Sequence, residues 1–269
     1  MIAKKFYLGL VLFFLYAPIL VLMVFSFNES RSQSHWEGFS LNWYRLLFNN
    51  PDIGRALTNT VLIAVFSTLI ATSIGAVAAV AIDKLGSRTN RLIMSITQLP
   101  VMMPDIVTGL SLRMLFIFVI QFAGTGRMGF TTLLLAHITF NVPYVILSVT
   151  PKLRHLDGNL YEAALDLGST PFRAFLKVVL PEIWPGVVTG ALLAFTLSVD
   201  DFMVSFFTTG TGVTNLSILI FSMTRRGVNP QINALSTLIF LFIMMLLFLI
   251  HKRDQRLVKK RTLADEVRH

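Results

Sequence analysis

The sequence contains no cysteine and few charged residues. Of its 269 residues none is Cys, and only 14% are Asp, Glu, Lys or Arg. The absence of cysteine excludes a disulfide framework, a thiolate metal site and a cysteine nucleophile. An ordinary soluble domain is about 25% charged, so the composition also argues against a water-soluble protein. No Gly-x-x-x-x-Gly-Lys-Ser/Thr phosphate-binding loop is present, so the chain cannot hydrolyse ATP by that route.

Long apolar runs take the place of the missing charges. Hydrophobic residues make up 54% of the chain, and 23 residues are Phe. Runs of roughly 18 or more apolar residues predict membrane-spanning helices. Pro100 and Pro104 predict a break in the third run, before the span proper. We therefore predict an all-α integral membrane protein, one domain over 1–269, with six spans at about 6–27, 57–82, 104–122, 131–150, 186–207 and 232–250.

The basic residues indicate how these spans are oriented. The net charge is +9, and with the N-terminus inside, 16 Lys and Arg residues fall on the inner side and six on the outer side. Cytoplasmic loops of membrane proteins collect Lys and Arg, so we expect both termini in the cytoplasm. This placement at span ends favours membrane topology over nucleic-acid binding. The first outer loop predicts a short helix over 41–48, whose Trp43 and Tyr44 could hold ammonium groups by cation–π attraction or form an interfacial aromatic belt.

The fourth and fifth spans are joined by a predicted cytoplasmic loop, 151–185, with a distinctive centre. Gly168 suits the left-handed residue that ends a helix, and Ser169 or Thr170 can cap the next helix with Pro171 in its first turn. The pattern predicts two short helices joined by a sharp turn. Such a hairpin could pack against its own bundle or bind a partner, and its shape alone does not decide.

Three acidic residues lie inside the apolar runs, namely Asp105, Asp200 and Asp201. A charge at the centre of a bilayer costs about 2.5–3.5 kcal/mol on insertion scales. Such residues usually face a water-filled path, although they could also cap broken helices or pair with Arg113. Adjacent helical residues point about 100° apart, so Asp200 and Asp201 cannot both face one spot.

The loop carries a family resemblance. It resembles the signature loop of binding-protein-dependent ABC transporter permeases in Glu162, Ala163, Ala164, Gly168, Leu180 and Pro181. Val178 stands where isoleucine is commoner. The resemblance implies the type I ABC importer permease fold, and it implies that a short helix of this loop docks into an ATPase subunit.

Further segments narrow the resemblance to the spermidine/putrescine permeases, at 104–107, 137–140, 195–201 and 227–234. The resemblance implies a bacterial inner-membrane importer of polyamines, with a second, distinct permease subunit, two ATPase subunits and an extracytoplasmic polyamine-binding protein. It implies no cofactor on this chain, because ATP and Mg belong to the ATPase. It also implies that uptake depends on residues matching Trp43, Asp105, Glu162, Ser198, Asp200 and Asp201. Arg113 stands where the pattern is usually apolar.

Two other functions are compatible with parts of the sequence. The same class of importer could carry ferric ion, an organophosphonate or another small solute, and the preference between spermidine and putrescine stays open. A membrane-embedded enzyme could use the Asp pair, but a Gly-x-Gly-Asp protease motif is absent and adjacent Asp residues are too close for a metal-binding helix face. His137 alone lacks a set of partner ligands. We therefore predict no catalytic residue, no metal site and no nucleic-acid partner.

Overall fold

The computed structural model describes residues 2–31, 35–124, 126–156, 158–225, 230–241 and 244–245. Along them the chain is mainly helical. Its helices are α1 (Ile2–Phe25), α2 (Asn42–Phe48), α3 (Pro51–Asp83), α4 (Ser87–Met102), α5 (Asp105–Ala123), α6 (Phe130–Arg154), α7 (Gly158–Asp166), α8 (Pro171–Ala174), α9 (Leu180–Asp200), α10 (Met203–Thr208), α11 (Leu216–Arg225) and α12 (Pro230–Leu241). A π-helical turn, Phe175–Val179, joins α8 to α9.

Five helices among these residues are long and apolar enough to cross a membrane, at Phe6–Phe25, Pro51–Asp83, Asp105–Ala123, Phe130–Arg154 and Pro171–Asp200. The predicted break before the third span is confirmed, because α4 ends at Met102 and α5 begins at Asp105. Pro100 lies inside α4 rather than ending it. The sixth predicted span, 232–250, lies partly outside the described residues, and its described part is in α12.

The helix that contains the fifth predicted span, 186–207, has different ends from the predicted span. The helix begins earlier, since Pro171–Asp200 is helical without interruption, and it stops at Asp200. The second helix of the loop hairpin is therefore continuous with the span and is not a separate short helix. The continuous helix contains one π turn, in which the N–H of Leu180 bonds to Phe175 O, five residues back. This wider turn precedes Pro181, which has no N–H and whose ring would crowd a regular α-helical carbonyl.

The contacts divide the chain into two compact units. One unit is made from the two ends of the sequence, Met1–Ile53 and Ile220–His269, and the other is Gly54–Leu219. In the first unit, α1 and α12 meet through the rings of Tyr16 and Phe240, whose centroids are 6.5 Å apart. The single domain predicted from the sequence stays a prediction.

Helix α6 is the centre of the second unit. It packs against α9, and α3 also lies against it at Gly75. A Cβ on Gly75 of α3 would lie 2.7 Å from Val145 Cβ, and one on Gly190 of α9 would lie 3.1 Å from Val145 Cα. Small residues thus allow the backbones to approach closely, as is common between membrane helices.

Candidate functional site

Ser198 of α9 lies in a buried polar cluster that joins three helices. The Nδ2 of Asn141, in α6, donates to Ser198 Oγ at 2.7 Å. The Oγ of Ser67, in α3, lies 3.0 Å from Ser198 Oγ. Only 1% of Ser198 is exposed, so the structure gives it a role in holding helices together. Its predicted contact with substrate stays a prediction.

The backbone leaves the helical path directly after Asp200. Asp201 has φ −62° and ψ 127°, an extended conformation that separates α9 from α10. Its carboxylate turns to the start of α10, where Oδ1 accepts the N–H of Val204 at 3.1 Å and Oδ2 accepts the N–H of Ser205 at 2.7 Å. These bonds satisfy N–H groups that have no partner inside the helix. The Asp201 side chain is only 5% exposed.

His137 of α6 joins this cap from the opposite side. Its Nε2 lies 3.6 Å from Asp201 Oδ2 and 3.0 Å from Ser205 Oγ. Asn215 Nδ2 donates to the same Ser205 hydroxyl at 2.7 Å. The roles of Asn141, Ser205 and Asn215 in this site were not predicted from the sequence. The available signal was the spacing of His137 and Asn141, two polar residues one helical turn apart in an apolar span.

Asp200 is placed differently from its neighbour. It is exposed at the end of α9, and two further polar residues of the same helix, Thr196 and Thr189, are also exposed on that side. A carboxylate facing hydrocarbon costs about 2.5–3.5 kcal/mol or more. The Asp200 carboxylate is therefore better suited to a water-filled path than to lipid.

Asp105 is the first residue of α5, and it is exposed. A carboxylate in the first turn of a helix interacts favourably with the helix dipole. Asp105 thus combines a favourable position at a helix start with an open surface.

Arg113 does not pair with any of the three acids. Its Nη1 donates instead to the backbone O of Phe207, near the end of α10, at 3.2 Å. The pairing of the acids with Arg113 that the sequence left open is therefore not present.

Trp43 belongs to the unit formed by the chain ends. The helix predicted over 41–48 is confirmed as α2. Trp43 is 5% exposed, and its Nε1 donates to Asn28 O at 2.6 Å. The Tyr44 hydroxyl lies 2.7 Å from Ser26 Oγ. A cation–π contact needs an open ring face, so the geometry of Trp43 favours packing, and its role in uptake stays a prediction.

The predicted turn at Gly168 is confirmed. Gly168 has φ +84°, and its N–H donates to Leu165 O at 2.9 Å. The next N–H, of Ser169, donates to Ala164 O at 3.1 Å, which completes a Schellman motif. Thr170 then caps α8 by accepting the N–H of Arg173 at 3.4 Å.

The residues of the signature loop lie mostly at the surface of this hairpin. Glu162, Ala163, Gly168 and Pro181 are exposed, whereas Ala164 and Leu180 are partly buried. Large apolar side chains flank the turn. Leu167 is 87% exposed and Phe172 is 70% exposed. The hairpin thus presents an apolar tip outside the predicted spans.

Comparison with known proteins identifies the family. Residues 71–263 match the model described as "Binding-protein-dependent transport system inner membrane component", a stretch that holds the hairpin, Asn141 and Ser198 of the buried polar cluster, and the break after Asp200. The chain belongs to this family. This permease is therefore a multi-pass inner-membrane component of a transport system, and the family predicted from the sequence is confirmed.

Named relatives resemble the permease over most of its length. It is 42% identical over 229 residues to the putrescine transport system permease protein PotI of Escherichia coli strain K12, covering 84% of this chain and 81% of that protein. It is 40% identical over 226 residues to the spermidine/putrescine transport system permease protein PotC of the same strain, covering 84% of each.

Solved structures support the fold. A bacterial ABC transporter involved in import of the acidic polysaccharide alginate aligns with TM-score 0.69 and 15% identity, over 95% of this chain and 94% of that one. The inward-facing MetNI methionine ABC transporter aligns with TM-score 0.57 and 22% identity, over 82% of this chain and 98% of that one. The predicted all-α, type I importer permease fold is confirmed.

Proposed function

We propose that this permease carries polyamines, spermidine or putrescine, across the inner membrane into the cell. The main structural observation is the exposed carboxylate of Asp200 at the break between α9 and α10. A carboxylate in a membrane segment favours a cationic cargo, and a polyamine has two or more ammonium groups. The names of the relatives at 42% and 40% identity, which include putrescine and spermidine, support the same class of cargo.

The two exposed acids supply separate points of attraction. Asp200 is at the end of α9, and Asp105 is at the start of α5. A flexible cation with separated charges can pass from one carboxylate to another without a single tight site. Such a cation must bind each carboxylate weakly enough to be released again.

The permease acts as one subunit of a larger importer in this proposal. Its partners are a second, distinct permease subunit, two ATPase subunits and an extracytoplasmic polyamine-binding protein. ATP and Mg bind on the ATPase, and this chain binds no cofactor. Loaded binding protein and ATP shift the bundle between outward-open and inward-open states through their different affinities for the two.

The hairpin of α7 and α8 is the proposed docking site for the ATPase. Its tip exposes Leu167 and Phe172, and an exposed apolar surface of this kind is typical of a protein interface. The signature residues Glu162, Ala163, Ala164, Gly168, Leu180 and Pro181 shape the hairpin and its junction with α9. Because Pro171–Asp200 is one uninterrupted helix, Phe172 of the docking site and Asp200 belong to the same helix.

Uptake by the reconstituted importer tests this proposal. The complex is purified with its partner subunits, placed in vesicles that contain ATP, and supplied with binding protein and labelled spermidine or putrescine. We expect ATP-dependent accumulation of one or both polyamines, and excess unlabelled polyamine should compete. Accumulation of ferric ion or an organophosphonate, with no polyamine uptake, would overturn the assignment of cargo while leaving the family unchanged.

A further inference from the structure

The short helix α10 is stabilised at both ends by charged side chains. At its start, the carboxylate of Asp201 accepts the N–H groups of Val204 and Ser205. Near its end, the guanidinium of Arg113 donates to Phe207 O at 3.2 Å. An anion at the N-terminus and a cation at the C-terminus of a helix satisfy its free backbone groups and complement its dipole. The two charges therefore stabilise one helix of six residues.

Helix α5 fixes one side of α10. A Cβ on Gly109 would lie 3.1 Å from Met203 O and 3.2 Å from Val204 Cα. The backbones of α5 and α10 are therefore in direct contact at this glycine. Arg113 follows one helical turn later on the same face of α5, which brings its side chain to the far end of α10. The backbone contact at Gly109 therefore fixes the start of α10, and the hydrogen bond from Arg113 fixes its end.

Helix α6 fixes the other side of α10. His137 Nε2 lies 3.0 Å from Ser205 Oγ and 3.6 Å from Asp201 Oδ2. Five residues before His137 in α6, Thr132 Oγ1 donates to Thr208 O at 2.9 Å. His137 and Ser205 are fully buried, and Thr132 is 7% exposed. Helix α10 therefore has a single defined place between α5 and α6.

From these contacts we propose that Asp201, His137 and Arg113 are positioning residues of the transport path. They fix α10, and thereby the end of α9, so that Asp200 presents its carboxylate in one direction. The inference rests on the proposed function, because it takes Asp200 as the residue that meets the cargo. It replaces direct contact of Asp201 with cargo by an indirect role, since both carboxylate oxygens of Asp201 already accept backbone N–H groups.

Arg113 is a cation in a membrane segment of a protein that is proposed to carry cations. A free guanidinium in the path would repel an ammonium group. Arg113 directs its charge to a helix carbonyl at one end of α10, and the buried carboxylate of Asp201 lies at the other end. The charge of Arg113 therefore stabilises α10, and the exposed carboxylate of Asp200 stays available to bind the cargo.

Paired neutral substitutions separate the two acids. In Asp201→Asn the remaining side-chain oxygen can still accept one backbone N–H at the start of α10, so part of the cap is kept. We expect this variant to keep polyamine uptake within about fivefold of the unsubstituted importer, whereas Asp201→Leu should lose about tenfold or more. Asp200→Asn should lose as much as Asp201→Leu, because Asp200 acts through its charge. Equal, severe losses in Asp200→Asn and Asp201→Asn, with normal assembly, would overturn the proposal.

Arg113 provides a second and independent comparison. Arg113→Met removes the donor to Phe207 O and keeps an apolar stem, and Arg113→Lys keeps a donor and the charge. We expect Arg113→Met to lower uptake about tenfold and Arg113→Lys to recover a substantial part of it. A rise in uptake in Arg113→Met would show instead that Arg113 repels the cargo, and it would overturn the positioning role.

The reaction rate of a cysteine at position 200 depends on how that position is placed and exposed, and it does not depend on the identity of the cargo. The chain has no cysteine, so Asp200→Cys introduces a single thiol whose reaction with a small cationic methanethiosulfonate can be followed on this chain in the purified complex. We expect Arg113→Met or His137→Leu, added to Asp200→Cys, to change the labelling rate about tenfold. Asp201→Asn, added to Asp200→Cys, should change the labelling rate by a smaller factor. Thr139→Val, on the exposed face of α6, is the matched control and should leave the rate unchanged.

The two measurements distinguish failure of the inference from failure of the proposed function. Unchanged labelling rates in Arg113→Met and His137→Leu would overturn the positioning role even if polyamine uptake is normal. A complex that transports no polyamine but shows the expected changes in labelling would overturn the proposed cargo and keep the positioning role. If either Arg113→Met or His137→Leu does not assemble, the labelling rate of the other variant decides the question.

Discussion

The ammonium group of Lys84 lies 4.3 Å from the centroid of the Tyr161 ring. Lys84 follows the end of α3, and Tyr161 is in α7, the first helix of the hairpin. Tyr161 also packs against the apolar core around Val149 and Ile183. The contact therefore fastens the proposed docking hairpin to a helix that is distant from it in sequence.

A double-mutant cycle tests this contact. Lys84→Met, Tyr161→Leu and the double variant are compared for their free energy of unfolding in detergent. We expect a coupling energy of about 0.5–1 kcal/mol, typical of an exposed cation–π pair. Tyr161→Phe keeps the ring face and is the control that should preserve the coupling. Additive effects of Lys84→Met and Tyr161→Leu would show that the two side chains do not interact.

The turn at Gly168 gives a prediction about docking. A Cβ at Gly168 meets no atom within 4 Å, so any effect of Gly168→Val arises from its φ of +84°. A β-branched residue in the left-handed region is strained, at about 1–2 kcal/mol or more. We expect less ATPase to co-purify, or weaker coupling of ATP hydrolysis to uptake, with normal membrane insertion. Gly86→Val is the matched control, because Gly86 has equally open space and φ −57°.

Normal ATPase co-purification and normal uptake in Gly168→Val would contradict the docking role. Equal losses in Gly168→Val and Gly86→Val would also count against it, because the two positions differ in backbone conformation and not in available space.

Asp200→Asn should cut polyamine uptake by about tenfold or more while the complex assembles normally, because the charge at the end of α9 is lost. Asp105→Asn should have the same direction of effect and a smaller size. Binding-protein-stimulated ATP hydrolysis should be less affected, because the hairpin is unchanged. Asp52→Asn is the control for loss of one exposed acid at a helix start. Normal uptake in both Asp200→Asn and Asp105→Asn would remove these carboxylates from the path.

Ser198→Ala should lower stability before it affects transport. The substitution leaves Asn141 Nδ2 with only a long contact to Ser67 Oγ, at 3.4 Å. An unsatisfied buried polar group costs about 1–3 kcal/mol, so we expect a loss in that range in thermal or denaturant unfolding in detergent. Ser73→Ala, an exposed serine of α3 that bonds its own helix, should change little. A large loss of uptake at unchanged stability would instead support direct contact of Ser198 with the cargo.

The orientation predicted from the charges can be tested by labelling. A single cysteine in place of Asn50 should react with an impermeant thiol reagent from outside the cell, and one in place of Leu167 should react only from the cytoplasmic side. The 16 to six bias of Lys and Arg is the basis of this expectation. The reverse pattern of labelling would overturn the orientation and move the hairpin away from any cytoplasmic ATPase.

The sequence predicted features that depend on local chemistry. The spans follow from the lengths of apolar runs, and the turn follows from Gly168, Thr170 and Pro171, which need no distant partner. The end of α9 could not be predicted in this way, because the run 186–207 is apolar on both sides of the break. The helix stops there because the Asp201 side chain takes the N–H groups of α10, in contact with His137 from another helix.

Site residues were hardest to predict where a side chain could serve either structure or transport. Ser198 has its partners 57 and 131 residues away in the sequence, so its burial has no local signal. Trp43 stands in an aromatic loop in which buried and exposed rings look alike. Asp200 and Asp201 are equivalent in composition, and only the geometry of the break separates the capping acid from the exposed one.

The uninterrupted helix from Pro171 to Asp200 acts mechanically as a lever. Its 30 residues span about 45 Å at 1.5 Å per residue. A tilt of about 5° about one end of such a rod displaces the other end by about 4 Å, close to the 5.4 Å pitch of one turn. A small rocking of the hairpin by a closing ATPase would therefore reach Asp200 as a movement comparable to the size of an ammonium group. A flexible linker at 181–185 would not transmit this movement to Asp200, whereas a continuous helix transmits it.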